Sequence, residues 1–234
     1  MSNMNKRFFR VLFAFVVVLL LVCSRNVSRS QSAITSPQTN YILIDPGHGG
    51  GDSGALSADG VMEKSINLHI AVNLRDVLHL FGYPTRMTRE SDISIHDPSC
   101  TTARQIKVSD MNNRLQLYRS ASMTLSIHQN HFSVAKYHGA QLFYSPNNPN
   151  SRVLADSIRS NILSYLQTDN HRELKQATED IFLLHKTTTP AVLVECGFLS
   201  NPTECKTLQD AVYQQQMAML IAAGTIDVYQ IDEE

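Results

Sequence analysis

Short apolar runs rich in β-branched residues alternate along this chain with segments whose apolar residues recur every three or four positions. The runs "YILID" (41–45), "MTLSIH" (123–128) and "AVLVE" (191–195) are typical of buried strands, and Ile66 and Ile70 belong to an amphipathic helix. This alternation over one domain predicts an α/β fold with a largely parallel sheet covered on both faces. Ligands bind such sheets beyond the carboxyl ends of the strands.

The remaining elements are predicted from the same two spacings. Further strands are expected at residues 83–89, 139–144 and 181–184, and further helices at residues 63–80, 153–166, from "NPTE" (201–204) and around Met217. Residues 90–109 show little periodicity, which predicts a long surface loop. Asp110 is then placed to cap the helix that carries Leu115 and Tyr118.

The N-terminal 40 residues stand apart from this pattern. Basic residues precede an unbroken apolar run at residues 11–23 that is short for a bilayer span. We therefore predict that residues 1–33 are an export signal or, if uncleaved, an N-terminal membrane anchor. Residues 34–40 form a polar linker, and residues 41–234 remain for one folded domain.

Charge and cysteine content exclude some classes of protein. The formal net charge is -1, so the totals give no electrostatic footprint for nucleic acid. Beyond the N-terminal run, Cys100, Cys196 and Cys205 are an odd number with no CxxC spacing. This pattern supports neither a disulfide framework nor a cysteine zinc site, and three idle or buried thiols are favoured over a bridge between Cys196 and Cys205.

The glycine-rich stretch "GHGGGDSG" after the first strand has two interpretations. Gly49, Gly51 and Gly54 satisfy the dinucleotide pattern G-x-G-x-x-G. Such a site needs a helix that opens within the loop, whereas "ALSADG" (55–60) intervenes, and no GK[ST] of a P-loop follows. Glycines that let the backbone bend tightly around His48 fit a metal site better.

Four residues able to carry chemistry lie near the ends of the predicted strands. His48 follows the first strand, His128 ends the third, Glu195 ends the last, and Glu63 begins the helix after the glycine loop. A His/Glu/His set leaves a fourth position open, as in catalytic zinc sites, where bound water has a pKa of about 7. Glu195 is then the candidate general base, and activity is expected to fall in mild acid, where the imidazoles are protonated.

Each of these residues also has a structural alternative. His48 could cap its loop, Glu63 could complement the helix dipole, and Glu195 could form a salt bridge at a strand end. Considered one at a time, Glu63 and His128 are better explained by a structural role than by metal binding. Glu195 is harder to dismiss, because a carboxylate flanked by buried strand residues must be paired or functional.

Five motifs in order, "IDPGHGG", "MEKSIN", "TRESD", "SIHQN" and "LVECGFLSN", resemble the zinc-dependent N-acetylmuramoyl-L-alanine amidases (amidase_3 type) of bacterial cell walls, over residues 41–229. The resemblance implies a mixed six-stranded sheet with helices on both faces. It also implies hydrolysis of the amide between the lactyl group of N-acetylmuramic acid and L-alanine. The family's Zn²⁺ ligands correspond to His48, Glu63 and His128, and its catalytic glutamate corresponds to Glu195.

Within that family, the chain looks most like the small amidases of spore-cortex peptidoglycan. This implies a sporulating bacterium, export to the cell wall or the forespore intermembrane space, and a product on the way to muramic-δ-lactam, whose formation needs a second enzyme, a deacetylase. Two other functions stay open at this point. They are a zinc peptidase that cuts within the stem peptide and a non-catalytic wall-binding protein.

Several expectations concern the surroundings of the site. Asn130, two positions after His128, is a candidate substrate contact or a strand-end cap, and His131 is expected to point away from the metal. Cys196 is expected to point opposite to Glu195, as a core thiol. The expected partner is peptidoglycan, with a regulatory protein left open and membrane contact only through an uncleaved N-terminal segment.

Overall fold

A computed structural model of the protein describes residues 40–231. The predicted export signal or anchor (1–33) and nearly all of the linker (34–40) lie outside the described residues. No helix within residues 40–231 is long and apolar enough to cross a bilayer.

Six strands and six helices make up the described chain. The strands are β1 (Ile42–Pro46), β2 (Thr85–Met87), β3 (Met123–Asn130), β4 (Gln141–Tyr144), β5 (Lys175–Gln176) and β6 (Ala191–Phe198). The helices are α1 (Glu63–Leu80), α2 (Ala103–Ser120), α3 (Asn150–Tyr165), α4 (Phe182–Lys186), α5 (Pro202–Leu208) and α6 (Ala211–Ile231).

The strands form one mixed sheet in the order β2-β1-β3-β6-β4-β5. Strands β2, β1, β3 and β6 run parallel, whereas β4 runs antiparallel to β6. The register pairs Asp45 with Ser126 and His128 with Glu195, so the carboxyl ends of the three central strands meet at one edge of the sheet. The predicted fold class is confirmed.

The core has two layers, one on each face of the sheet. Helices α1, α3 and α6 pack over one face, where Ile44, Leu125 and Val194 are fully buried. Helices α2 and α4 cover the other face, where Leu43 and Leu193 lie. Because side chains alternate along a strand, Glu195 shares the face of Leu193, and so the α2 side of the sheet carries this carboxylate.

The predicted loop at residues 90–109 is wrong in its second half, because α2 already begins at Ala103. Thr102 forms a capping box with Gln105, which satisfies backbone donors of the first turn. Asp110 is therefore no cap. It lies within α2, is buried and bonds to Arg114. The first turns of α2 are mostly exposed, and a solvated face leaves no apolar periodicity to detect.

The strand predicted at residues 181–184 is also wrong, since Phe182–Lys186 form the short helix α4. Leu183 and Leu184 are buried there against the α2 face of the sheet. A run of four apolar residues is equally compatible with a short helix and a buried strand, so the spacing of apolar residues alone does not discriminate between them. The two-residue strand β5 carries no sequence signal of its own and was missed.

Candidate metal centre

The glycine-rich loop between β1 and α1 makes room for the side chains of the predicted ligands. A Cβ atom on Gly47 would lie 2.1 Å from Cε1 of His128, so the imidazole packs directly on the glycine backbone. A Cβ on Gly54 would lie 2.5 Å from Oε2 of Glu63. A Cβ on Gly49 would lie 2.3 Å from the carbonyl oxygen of Ile93. Close approach therefore explains two of the three glycines of the G-x-G-x-x-G pattern, Gly49 and Gly54, without a phosphate.

His48 lies at the bend of this loop in an unusual backbone conformation. Its φ is 64°, and it is the one non-glycine residue with positive φ between residues 40 and 231. Such a conformation costs on the order of 1 kcal/mol or more and persists only where its surroundings enforce it. The surrounding bonds therefore hold the imidazole of His48 in a fixed direction.

The structure brings His48, Glu63 and His128 together, as the sequence predicted. Nε2 of His48 lies 3.2 Å from Oε2 of Glu63, and Nδ1 of His128 lies 2.9 Å from Oε1. One donor atom from each residue falls within 4.8 Å of the other two. Two imidazoles and one carboxylate are ligands that zinc binds readily, and this set fits a three-ligand site with an open position.

Glu63 is buried and held by several donors. The backbone amides of Ala55 and Gln129 donate to its two oxygens at 2.8 and 3.1 Å, and the Asn67 amide donates at 3.1 Å. Burial alone would raise the pKa of Glu63, but His128 and His48 lower it well below its usual range. The carboxylate is therefore charged and fixed in one orientation, as a metal ligand requires.

His48 lies between two carboxylates. Its Nδ1 is 3.0 Å from Oδ1 of Asp52, on the side of the ring opposite Glu63. Burial lowers the pKa of His48, but the contacts with Asp52 and Glu63 outweigh it and raise the pKa to about 9. This environment favours a cation on or beside the imidazole, either a proton or a metal ion.

Glu195 lies next to His128, because the two residues are register partners on β6 and β3. Its Oε2 is buried and has no hydrogen-bond partner within the described chain. Burial raises the pKa of Glu195 to about 7; His128 acts in the opposite direction, and Glu63 adds to the increase. The side chain lines a cavity of about 320 Å³ together with His48 and His128.

Two buried arginines hold the backbone that carries His48. Arg114 on α2 donates to the carbonyl oxygens of Pro46 and His48 at 3.1 and 2.8 Å. Arg89 donates to those of Pro46 and Gly47 at 3.1 and 3.0 Å. We call Arg89 and Arg114 the arginine clamp. Three successive carbonyl groups are thereby fixed by charged donors, whose hydrogen bonds are stronger than those of neutral donors.

Asp45 balances the charge of Arg114 inside the protein. The two residues form a very short ion pair, and Asp45 also accepts hydrogen bonds from Thr88 at 2.7 Å and Tyr118 at 2.6 Å. Burial acts to raise the pKa of Asp45, yet Arg114 and these donors hold it below its usual value. This network was not predicted from the sequence. Arg89 belongs to the "TRESD" motif, but Arg114 looks like an ordinary helix residue paired with Asp110.

The remaining predicted neighbours have less central positions. Asn130 pairs with Phe198 at the end of the sheet, and its carbonyl accepts from Leu199 at 2.8 Å; its role as a substrate contact stays a prediction. His131 is exposed. Cys196 is fully buried in the core opposite Glu195, as predicted, and burial raises its thiol pKa.

A larger groove adjoins the cavity beside Glu195. It has a volume of about 750 Å³, shares His48 and Asp52 with the cavity, and is lined on its far side by Ile93 and Ile106. Lys107 lies at the boundary and contacts Asp52 Oδ2 at 2.6 Å. A substrate larger than the cavity can therefore extend from the candidate ligands along α2.

A His/Glu/His set beside an unpaired carboxylate, at the carboxyl edge of an α/β sheet, is the arrangement of a metal-dependent hydrolase. The chain belongs to the N-acetylmuramoyl-L-alanine amidase family (Amidase_3), whose sequence profile matches residues 42–227. It is an amidase that acts on peptidoglycan.

Known proteins agree with this assignment. The germination-specific N-acetylmuramoyl-L-alanine amidase of Bacillus subtilis is 33% identical over 191 residues, covering 79% of this chain and 78% of that protein. The CwlD amidase of Clostridioides difficile, solved in complex with the GerS lipoprotein, is 38% identical with a TM-score of 0.78, covering 82% of this chain and 100% of that one. The amidase AmiC2 of Nostoc punctiforme is 28% identical with a TM-score of 0.65, covering 82% and 97%.

Proposed function

We propose that the amidase is zinc-dependent, with His48, Glu63 and His128 as ligands and Glu195 as the catalytic base. The observation that carries this proposal is the convergence of the three donors beside the unpartnered oxygen of Glu195. The substrate bond is the amide between N-acetylmuramic acid and L-alanine of the stem peptide. This assignment also fits the buried negative charge of Glu63, which needs a cation nearby.

A zinc ion bound here would polarise the scissile carbonyl and make a water molecule acidic enough to attack it near neutral pH. Glu195 accepts the proton of the attacking water at Oε2, which no other group of the described chain occupies. The same carboxyl group then donates that proton to the leaving nitrogen of L-alanine. A pKa raised by burial to about 7 suits a group that must first accept and then release a proton.

Apolar side chains border part of the cavity around Glu195. Leu183 of α4 and Leu193 of β6 lie there, and such apolar surroundings agree with the pKa of Glu195, which burial raises. The arginine clamp fixes the carbonyl groups around Gly47, so the ligand His48 does not have to be ordered when substrate binds. Preorganisation of this kind lowers the barrier by removing reorganisation from the chemical step.

We further propose a role in spore-cortex maturation, on the way to muramic-δ-lactam. The germination-specific relative and the CwlD neighbour support this context. The lactam requires a second enzyme, because the exposed muramic acid must also lose its acetyl group. Export follows from a peptidoglycan substrate, and a regulatory lipoprotein is a candidate partner, since CwlD was solved with one.

The test is mass spectrometry of peptidoglycan fragments after incubation with the full chain, compared with Glu195→Gln and the exposed control Glu179→Gln. Wild type and Glu179→Gln should release stem peptides that begin with L-alanine. Glu195→Gln should retain zinc, measured by metal analysis, and lose at least about 100-fold in rate. Cleavage within the stem peptide, or full activity of Glu195→Gln, would contradict the proposal.

A further inference from the structure

The loop between β3 and β4 exposes three large apolar side chains within six residues. Phe132 is 49% exposed, Val134 is 42% exposed and Tyr137 is 38% exposed. Single exposed apolar residues are ordinary on protein surfaces, but a contiguous group beside a reactive site marks a binding surface. We call Phe132 and Tyr137 the aromatic platform; the neighbouring Phe198 is only 4% exposed and packs beside Tyr137.

The rings of the aromatic platform are held in a defined arrangement. Phe132 and Tyr137 meet edge to face at 5.2 Å between centroids, and Tyr137 lies 6.4 Å from Phe198 at a tilt of 35°. The Arg172 guanidinium lies 4.5 Å above the Phe198 ring and donates from Nε to the carbonyl of His138 at 2.8 Å. Lys136 lies 5.7 Å from the Tyr137 ring. The platform therefore combines apolar rings with two neighbouring cations, of which Arg172 is fixed by a hydrogen bond.

The sheet places this platform next to the reacting atoms. A bulge in β6 sets Cys196 and Gly197 opposite one residue of β3, so that Phe198 pairs with Asn130 at the strand ends. Asn130 is two residues beyond His128, which is about 7 Å along a strand. The chain continues directly into Phe132, whose backbone amide donates to Ser200 at 3.1 Å. The platform thus begins four residues beyond the proposed ligand His128, at most about 14 Å along the chain.

We propose that the aromatic platform binds the glycan strand of peptidoglycan on one side of the scissile amide. This inference rests on the proposed function. A pyranose ring presents a face of C–H groups that packs on an aromatic ring, while its hydroxyl and acetamido oxygens accept hydrogen bonds from groups such as Arg172 and Lys136. The stem peptide then extends to the opposite side, into the groove along α2.

The distribution of exposed rings favours this direction for the glycan. The groove along α2 is lined by aliphatic residues and charges, such as Ile106, Lys107 and Asp92, and no exposed phenyl or phenol ring lines it within the described chain. Other exposed rings, Phe81 and Tyr165, stand at helix ends. Aliphatic and charged contacts suit a short peptide that carries methyl and carboxylate groups, whereas stacking surfaces suit sugars.

The first experiment measures binding of the full chain to insoluble glycan from which the stem peptides have been removed. The variant Phe132→Ala/Tyr137→Ala is compared with wild type and with the matched control Phe81→Ala/Tyr165→Ala. We expect the platform variant to bind about tenfold more weakly and the control to bind like wild type. Phe132→Leu, which keeps apolar volume without a ring, should show part of the loss, and thermal unfolding verifies that all variants are folded.

The second experiment compares hydrolysis of long peptide-bearing glycans with that of a single muramoyl peptide. The platform variant should show a raised KM for long glycans, an unchanged kcat, and unchanged kinetics with the single muramoyl peptide. Equal glycan binding by the variant and wild type would overturn the inference, as would a loss confined to stem-peptide or protein-partner binding. Binding to stripped glycan needs neither zinc nor Glu195, so a wild type that binds glycan but does not cleave would contradict the proposed function alone.

Discussion

Two loops leave the same edge of the sheet and are stabilised in opposite ways. In the metal loop (residues 47–62), buried charged groups hold the backbone, and its carbonyl oxygens accept from Arg89 and Arg114. In the aromatic loop (residues 131–138), the hydrogen bonds from the Phe132 amide and to the His138 carbonyl are exposed, and the side chains of Phe132 and Val134 face solvent. The first loop buries charge and the second exposes rings.

This difference follows from what each loop has to do. Ligands of a catalytic metal need fixed directions, and charge-assisted bonds in a low-dielectric interior supply them at a desolvation cost that good pairing offsets. A polymer that slides past the site needs a surface with apolar contact and few fixed hydrogen bonds. The predictions below test how far the two loops differ.

We expect the largest effect on stability when Arg114 of the arginine clamp is replaced. Arg114→Met leaves the buried carboxylate of Asp45 without its cation, which should lower the free energy of unfolding by about 3–5 kcal/mol. Denaturant unfolding measures this loss. Asp45→Asn/Arg114→Met should recover part of it, whereas Arg75→Met, which removes partly exposed ion pairs, should cost at most about 1 kcal/mol. Equal losses for the two variants would show that the buried ion pair of the arginine clamp contributes no more to stability than an exposed ion pair.

The next effect concerns close packing within the metal loop. Gly47→Ala places a methyl group against the His128 ring and should reduce the amidase rate at least about 100-fold by displacing the ligand. Gly51→Ala is the matched control, because nothing lies within 4 Å of its Cβ. Rate assays and zinc analysis on both variants check this. Similar rates for the two variants would show that the contact with His128 is dispensable.

The third effect is the pH dependence of metal binding. Zinc requires neutral imidazole, whereas Asp52 and Glu63 overcome the effect of burial and raise the pKa of His48 to about 9. Zinc binding below that pH therefore displaces a proton, and apparent affinity should rise about tenfold per pH unit between about pH 6 and 8. Competition with a chelating dye measures the slope. Asp52→Asn should make the slope shallower, and an affinity independent of pH would refute the assignment of His48.

The smallest effect is expected for folding stability in the aromatic loop. Phe132→Ala removes a half-exposed ring, so the free energy of unfolding should change by no more than about 0.5 kcal/mol. Chemical denaturation of this variant beside wild type gives the number. A loss above about 2 kcal/mol would mean that Phe132 belongs to the core, and that the aromatic loop is stabilised by burial after all.

The sequence predicted the central strands, α1 and the grouping of the candidate ligands, because each rests on local spacing or on the rule that parallel strands end together. His48, His128 and Glu195 each lie at or just after a longer apolar run rich in β-branched residues, and all three runs are strands in the structure. Predictions failed where the local signal was weak. The exposed start of α2 and the short run at residues 181–184 had no spacing that distinguishes helix from loop or strand.

The sequence by itself determined which residues can do the chemistry and that they gather at one sheet edge. Only the tertiary structure shows which groups hold these residues in place. Asp45 and Arg114 form their ion pair although they are 69 positions apart, and Arg89 donates to the Gly47 carbonyl across 42 positions. The tertiary structure also places Phe198, which follows the β6 bulge, beside Tyr137 of the aromatic platform. The periodicity of a sequence reflects which residues of one element are buried. Packing between distant elements determines which groups contact a buried charge or an exposed ring.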